Sequence, residues 1–175
     1  MPKKLLATLA AATLIITGCS APTETSEAEA PPASQTEETG TTVEQFASII
    51  AESRRPVDDW LEDAWDANTC SASIVAAGDI TCDLALLSGT TTASTAYIVL
   101  DTPTKIDAPG YIGDPPKEVA IIWQSTKDAA EKASDAGEEI PEDCSTDPTC
   151  ASKVLAFDMA MYDLQGKYDS WAPYM

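Results

Sequence analysis

The sequence contains no histidine, and only 10 Lys and Arg stand against 29 Asp and Glu in its 175 residues. Without histidine the chain lacks the commonest general base near neutral pH and the commonest metal ligand. Ser-His-Asp and Cys-His catalysis, carboxylate–His di-iron sites and histidine-based zinc-protease motifs are therefore excluded within this chain. The shortage of bases excludes nucleic acid as a partner, because neutralising phosphates takes clustered Lys and Arg. Also missing are G-x-S-x-G, a Walker loop, a dinucleotide fingerprint and the S-x-x-K of penicillin-recognising enzymes. No enzyme class is specified by what remains, and the length fits one domain, two at most.

What is present begins at the N-terminus. Lys3 and Lys4 precede an apolar run from Leu5 to Ile16. That run falls short of the about 20 residues a spanning helix needs and fits the h-region of an export signal. It ends at Ile16-Thr17-Gly18-Cys19, small residues directly before a cysteine. The order and spacing resemble the lipobox of bacterial lipoproteins. That resemblance implies removal of residues 1–18 and a diacylglyceryl thioether on Cys19, usually with an acylated α-amine such as a palmitoyl amide. Two or three acyl chains anchor stably where one does not. The expectation is an extracytoplasmic protein, lipid-anchored to the bacterial cell membrane.

With Cys19 lipidated, Cys70, Cys82, Cys144 and Cys150 remain. An even number in an oxidising compartment indicates two disulfides with three open connectivities. Pairing Cys70 with Cys82 and Cys144 with Cys150 closes the short loops and is favoured. The rival, a zinc site, lacks C-x-x-C spacing, so no metal or cofactor is expected.

Residues Ser20 to Thr42 hold no aromatic and no large aliphatic, and their five Glu face no base. Such a segment cannot offset the entropy of ordering and is expected to be a disordered acidic tether. Coil statistics give it an end-to-end distance of roughly 25 Å and a limit of about 75–80 Å. Its Ser, Thr and Pro content also suits O-glycosylation. The chain thus divides into signal (1–18), lipidated cysteine and tether (19–42) and a folded domain (43–175). The domain keeps 8 basic against 24 acidic residues, a net charge of −16, so the acidity belongs mainly to the folded body.

From Val43 the pattern turns helical. Val43, Phe46, Ile50, Val57, Trp60 and Ala64 keep one face in phase, with Thr41 or Thr42 to cap and Pro56 to kink a helix ending near Asn68. A turn or short helical piece occupies Ser71–Gly78. Asp79 then caps a second helix in which Ile80, Leu84, Leu87, Thr91 and Ile98 repeat at helical spacing. Tyr97-Ile98-Val99-Leu100 also suits a short strand, with helix favoured. Asp114-Pro115 starts a third helix, facing inward through Val119, Ile122, Trp123, Thr126, Ala130 and Ala133 and stopped by Gly137. Asp147-Pro148 starts a fourth, with Ala151, Val154, Leu155, Phe157, Met161, Leu164, Tyr168 and Trp171. The fold expected is all-α, a small disulfide-stapled four-helix bundle behind a disordered acidic tether.

The densest chemistry is the acidic cluster Asp58, Asp59, Glu62, Asp63 and Asp66 around Trp60 and Trp65. The pairs Asp59/Asp63 and Asp58/Glu62 are spaced i, i+4 and share a helical face. Paired carboxylates suit a divalent cation or general acid–base work, although EF-hand spacing is absent and a solvated helix face is the simpler explanation. Arg54-Arg55 stands ready to neutralise Asp58 or Asp59. Trp60 and Trp65 fall about 140° apart on an ideal helix, which points Trp65 outward as a ligand-contacting residue. The four tryptophans together are candidates to line a groove.

The expected function is a cell-surface, lipid-anchored helical interaction module with an envelope or surface protein partner, not an enzyme. One variant is a prophage-type lipoprotein that blocks later phage entry, an architectural analogy of lipobox, tether and small helical domain. The alternatives are a carboxylate-based envelope enzyme and a divalent-cation-binding structural lipoprotein.

Overall fold

The structure, a computed structural model, describes residues 40–175. The signal, Cys19 and the tether through residue 39 lie outside the described residues. Among the described residues all regular structure is helical. Four long helices, α1 (Val43–Asp59), α3 (Ile80–Asp101), α4 (Ala120–Glu138) and α5 (Cys150–Asp169), form a four-helix bundle, and a short α2 (Ala72–Ala76) sits beside them. Helix α1 packs on α3 and α5, α3 on α4, and α4 on α5, so the four close a ring, with α2 resting on α5.

The starts of the helices follow from local chemistry. Thr42 and Gln45 form a reciprocal capping box at α1. Asp79 accepts the Cys82 N–H at 3.0 Å and caps α3. Helix α1 runs through Pro56, whose missing N–H costs one ladder bond at the exposed Glu52 carbonyl, and continues directly into a π-helical turn, Trp60–Asp66. Helix α3 is continuous through Tyr97–Leu100, so no strand forms there. The disulfides are Cys70–Cys82 and Cys144–Cys150, with Cα atoms 5.4 and 5.1 Å apart. The first ties the exit of the π turn to the start of α3, and the second staples the entry to α5.

Two helix boundaries differ from expectation. Helix α4 begins at Ala120, not at Asp114-Pro115, because Pro116 disfavours helical geometry at Pro115 and the chain turns instead, with Val119 N–H bonding to Pro116 C=O. Gly137 does not stop α4. It is buried one residue before the end, where a Cβ would lie 3.3 Å from Thr90 and Phe157, so it is a contact point between helices.

The core is built on aromatic rings. Phe46, Trp123 and Trp171 meet edge-to-face at one end, with centroids 4.5 and 6.2 Å apart in sequence. Trp60, Trp65 and Phe157 form a second group. Polar tips inside the core are mostly matched: Trp171 donates to Thr126 Oγ1 at 3.0 Å, and the Ser53 and Tyr168 hydroxyls lie 2.7 Å apart. The Trp123 indole N–H and Asp158 Oδ1 are buried without a partner.

Helix α3 turns its smaller residues toward the core. Its inward face carries Cys82, Ala85, Leu86, Gly89, Ala93, Ala96 and Leu100. The large aliphatics of the helical repeat face outward: Ile80, Leu84, Leu87 and Ile98 are 75, 63, 65 and 58% exposed. The reason is spatial. Trp60 lies flat against α3, donates its indole N–H to the Ala85 carbonyl at 2.7 Å, and would sit 2.5 Å from any Cβ at position 89. Only small side chains fit at that crossing, and the opposite face receives the large ones.

Candidate functional site

The members of the acidic cluster turn to separate partners and do not converge on one point. Asp58, at the end of α1, accepts from Arg54 Nε at 2.7 Å and from Gln165 Nε2 at 3.1 Å. Arg54 also reaches Asp169 at 2.7 Å, so it ties α1 to the end of α5, and Arg55 takes no part. Asp66 accepts the Tyr162 hydroxyl at 2.6 Å. Asp59, Glu62 and Asp63 are exposed. Among the described residues no three metal-ligating side chains come together. The physical cause is the π turn. It begins at Trp60, immediately after the α-helix that would have stacked Asp59 on Asp63 and Asp58 on Glu62.

The same turn corrects the position of Trp65. An i→i+5 repeat brings residues five apart close to one face, so Trp65 swings back beside Trp60. The two rings stack at 5.2 Å with 28° between planes, and Trp65 is 1% exposed. It is a core residue with no surface for a ligand. Trp60, Trp123 and Trp171 are buried as well, so the tryptophans hold the bundle together and line no groove.

One acid near this region has unusual surroundings. Asp158 on α5 is half-buried, and burial pushes its carboxyl above the ordinary aspartate range. The Trp65 indole pulls it back, and the nearby Asp66 charge adds to the rise. Tyr162, bonded to Asp66 and partly buried, is pushed up to about 12. Asp158 is thus a half-buried carboxylate that shares its surroundings with Asp66 and Tyr162.

The most distinctive surface is the outer face of α3. Ile80, Leu84, Leu87, Thr91, Ser94 and Ile98 follow one another at steps of 4, 3, 4, 3 and 4. This is the a/d spacing of a coiled-coil seam. From Leu84 to Leu100 the helix carries no charged residue, although 22% of the chain is charged. Beside the seam, a groove of about 570 Å³ opens between Leu84, Leu87 and Thr90 of α3 and Ile140, Pro141 and Cys144 of the loop before α5. Asp83, Glu142 and Asp143 edge it. Asp143 is held below the usual carboxylate range by the Ser145 and Thr146 hydroxyls, which fold the loop locally. A contiguous row of exposed large aliphatics marks an interaction site, and charge depletion at the centre of a patch marks interfaces.

Sequence reasoning found the helical spacing of Ile80, Leu84, Leu87, Thr91 and Ile98 without assigning it to either side of the helix. The signal that separates the two is the row Cys82, Ala85, Gly89, Ala93 and Ala96, a small-residue face for close helix packing. Compared with protein-family models, with curated proteins and with solved structures, the chain matches none of them.

Proposed function

We propose that this chain is a lipid-anchored helical interaction module, held on the outside of the bacterial membrane through Cys19 and acting by contact through the outer face of α3. The observation that carries the contact reading is that face: four large aliphatics exposed at helical spacing, three of them within the uncharged stretch Leu84–Leu100. The lipobox pattern at Ile16–Cys19 supports the anchor. The two fit together, because a tether of 23 residues leaves the domain free to turn toward a neighbour while confined to a thin layer above the membrane. The net charge of −16 on the folded body favours contacts away from anionic headgroups.

The enzyme and cation-binding readings draw no support from the acidic cluster, whose members are paired with Arg54, Gln165 and Tyr162 or spread over the surface. Superinfection exclusion is one biological setting for such a module, and genes for a phage integrase or repressor beside this one favour it. The anchor is tested by labelled palmitate: incorporation lost in Cys19→Ala is expected, and label persisting in that variant overturns it. The contact reading is tested by proximity labelling from the anchored protein. Enrichment of neighbours that disappears with Leu84→Asp and Leu87→Asp is expected; an unchanged set of neighbours overturns it.

A further inference from the structure

We propose that the outer face of α3 receives a second copy of this chain, α3 packing antiparallel on α3. The proposal rests on the interaction-module reading above and names the occupant of that same face.

The seam itself argues for a helix as the occupant. A 4-3-4-3-4 spacing places knobs where a facing helix offers holes, and a flat or strand partner makes no use of that period. The identity of the facing helix follows from the residues in the seam. When two copies of α3 are laid antiparallel with residues 87 and 91 opposite each other, every seam position finds a seam partner. Leu87 meets Thr91, Leu84 meets Ser94 and Ile80 meets Ile98. Every layer then contains at least one large aliphatic, and the two central pairs set a large side chain into the space left by a small one. A parallel arrangement instead stacks Thr91 on Thr91 and Ser94 on Ser94, leaving two layers with nothing large to fill them.

Charge selects the same orientation. The acids at the start of α3, Asp79 and Asp83, lie opposite Val99 and Thr95 of the other copy, inside its uncharged half. In parallel pairing they face their own copies, which like-charge repulsion opposes. Antiparallel helix dipoles add to the preference. The remaining acids stand outside the seam, where repulsion between exposed charges is screened over about 8–10 Å at physiological salt.

The area is adequate for a dimer of modest affinity. Four aliphatics exposed by 58–75% offer roughly 500 Å² on each copy, hence about 1,000 Å² in all, the lower bound of specific interfaces. Anchoring in a membrane raises the effective concentration of such a pair without any new contact.

The test is cross-linking of the full chain in the membranes of cells that produce it, with a thiol-specific bifunctional reagent of about 8 Å reach. In the antiparallel register two copies of residue 91 lie four helical steps apart along the axis, about 6 Å. Two copies of residue 98 lie eighteen steps apart, about 27 Å. Thr91→Cys is expected to give a product of twice the chain's mass, Ile98→Cys none, and Leu84→Asp added to Thr91→Cys should reduce the product at least several-fold. Far-UV circular dichroism of Leu84→Asp checks that the helices persist, as they should when an exposed residue is changed. Equal yields at positions 91 and 98 overturn the antiparallel register. A Thr91→Cys product of any mass other than twice the chain overturns the second copy and keeps the interaction module. No product from either position overturns the second copy, while the interaction module is judged by the proximity labelling above.

Discussion

Gly89→Ala and Gly166→Ala make the same chemical change in two long helices, and they should shift stability in opposite directions. In a helix interior Ala is favoured over Gly by about 0.8–1 kcal/mol. At position 166 of α5 nothing lies within 4 Å of an added Cβ, so that gain stands. At position 89 of α3 the added Cβ lies 2.5 Å from two ring carbons of Trp60 and 2.8 Å from its indole nitrogen. The ring must retreat by about 1 Å to restore ordinary contact, which costs ~1–3 kcal/mol in a packed core. Its N–H bond to the Ala85 carbonyl is stretched or lost at the same time, a further loss of about 1 kcal/mol. After subtracting the propensity gain, Gly89→Ala is expected to destabilise by about 1–3 kcal/mol. For a body of this size each kcal/mol moves the midpoint by about 3–5 °C. Thermal unfolding followed by circular dichroism, with the disulfides intact, should show Gly89→Ala lowered by about 3–15 °C and Gly166→Ala raised by about 2–5 °C. Gly89→Ala at or above the parent midpoint refutes the seating of Trp60 on α3, and with it the reason the large aliphatics face outward.

Two further outcomes follow from the same packing. Replacing Cys70 and Cys82 together by Ser removes a cross-link spanning 12 residues and should cost about 3 kcal/mol by loop-closure entropy, read as a lower urea midpoint; a midpoint equal to the parent's contradicts it. Asp158→Asn should raise the thermal midpoint at pH 7. Burial raises the folded-state pKa of this acid above its unfolded value of 3.8, so its charge disfavours folding at high pH and the penalty fades as pH falls. The advantage of Asp158→Asn should therefore shrink as pH approaches 3.8, and a gain independent of pH contradicts the assignment.

Much of the fold was legible because its determinants are local. Thr42 and Asp79 act as caps through side chains three residues from the amides they satisfy, and the disulfides join cysteines close in sequence. The inward faces of α4 and α5 were legible from Trp123, Ala130, Val154, Phe157 and Leu164, where the large apolar row and the core coincide. Trp65 was not, because its position depends on a π turn that changes the angular step per residue, and no residue between Trp60 and Asp66 announces one. The side that α3 turns outward was not legible for another reason. Periodicity reports that two faces differ but leaves open which one meets the chain's own core. That choice is made by the bulk of Trp60, 29 residues away from Gly89, and by the room it leaves. The acidic cluster shows the converse: i, i+4 spacing predicts convergence only while the helix remains α.

The central claim is that α3 is covered on its outer face when the protein is in place, and thiol accessibility measures this directly. Leu87→Cys places a thiol on the seam, and Glu118→Cys places one on an exposed position away from it. Each is treated with a membrane-impermeant maleimide, first on the anchored protein in its membrane and then after extraction and dilution. Labelling of Leu87→Cys should be many-fold slower in the membrane than after dilution, while Glu118→Cys reacts equally in both. Equal rates for Leu87→Cys in the two states contradict the account.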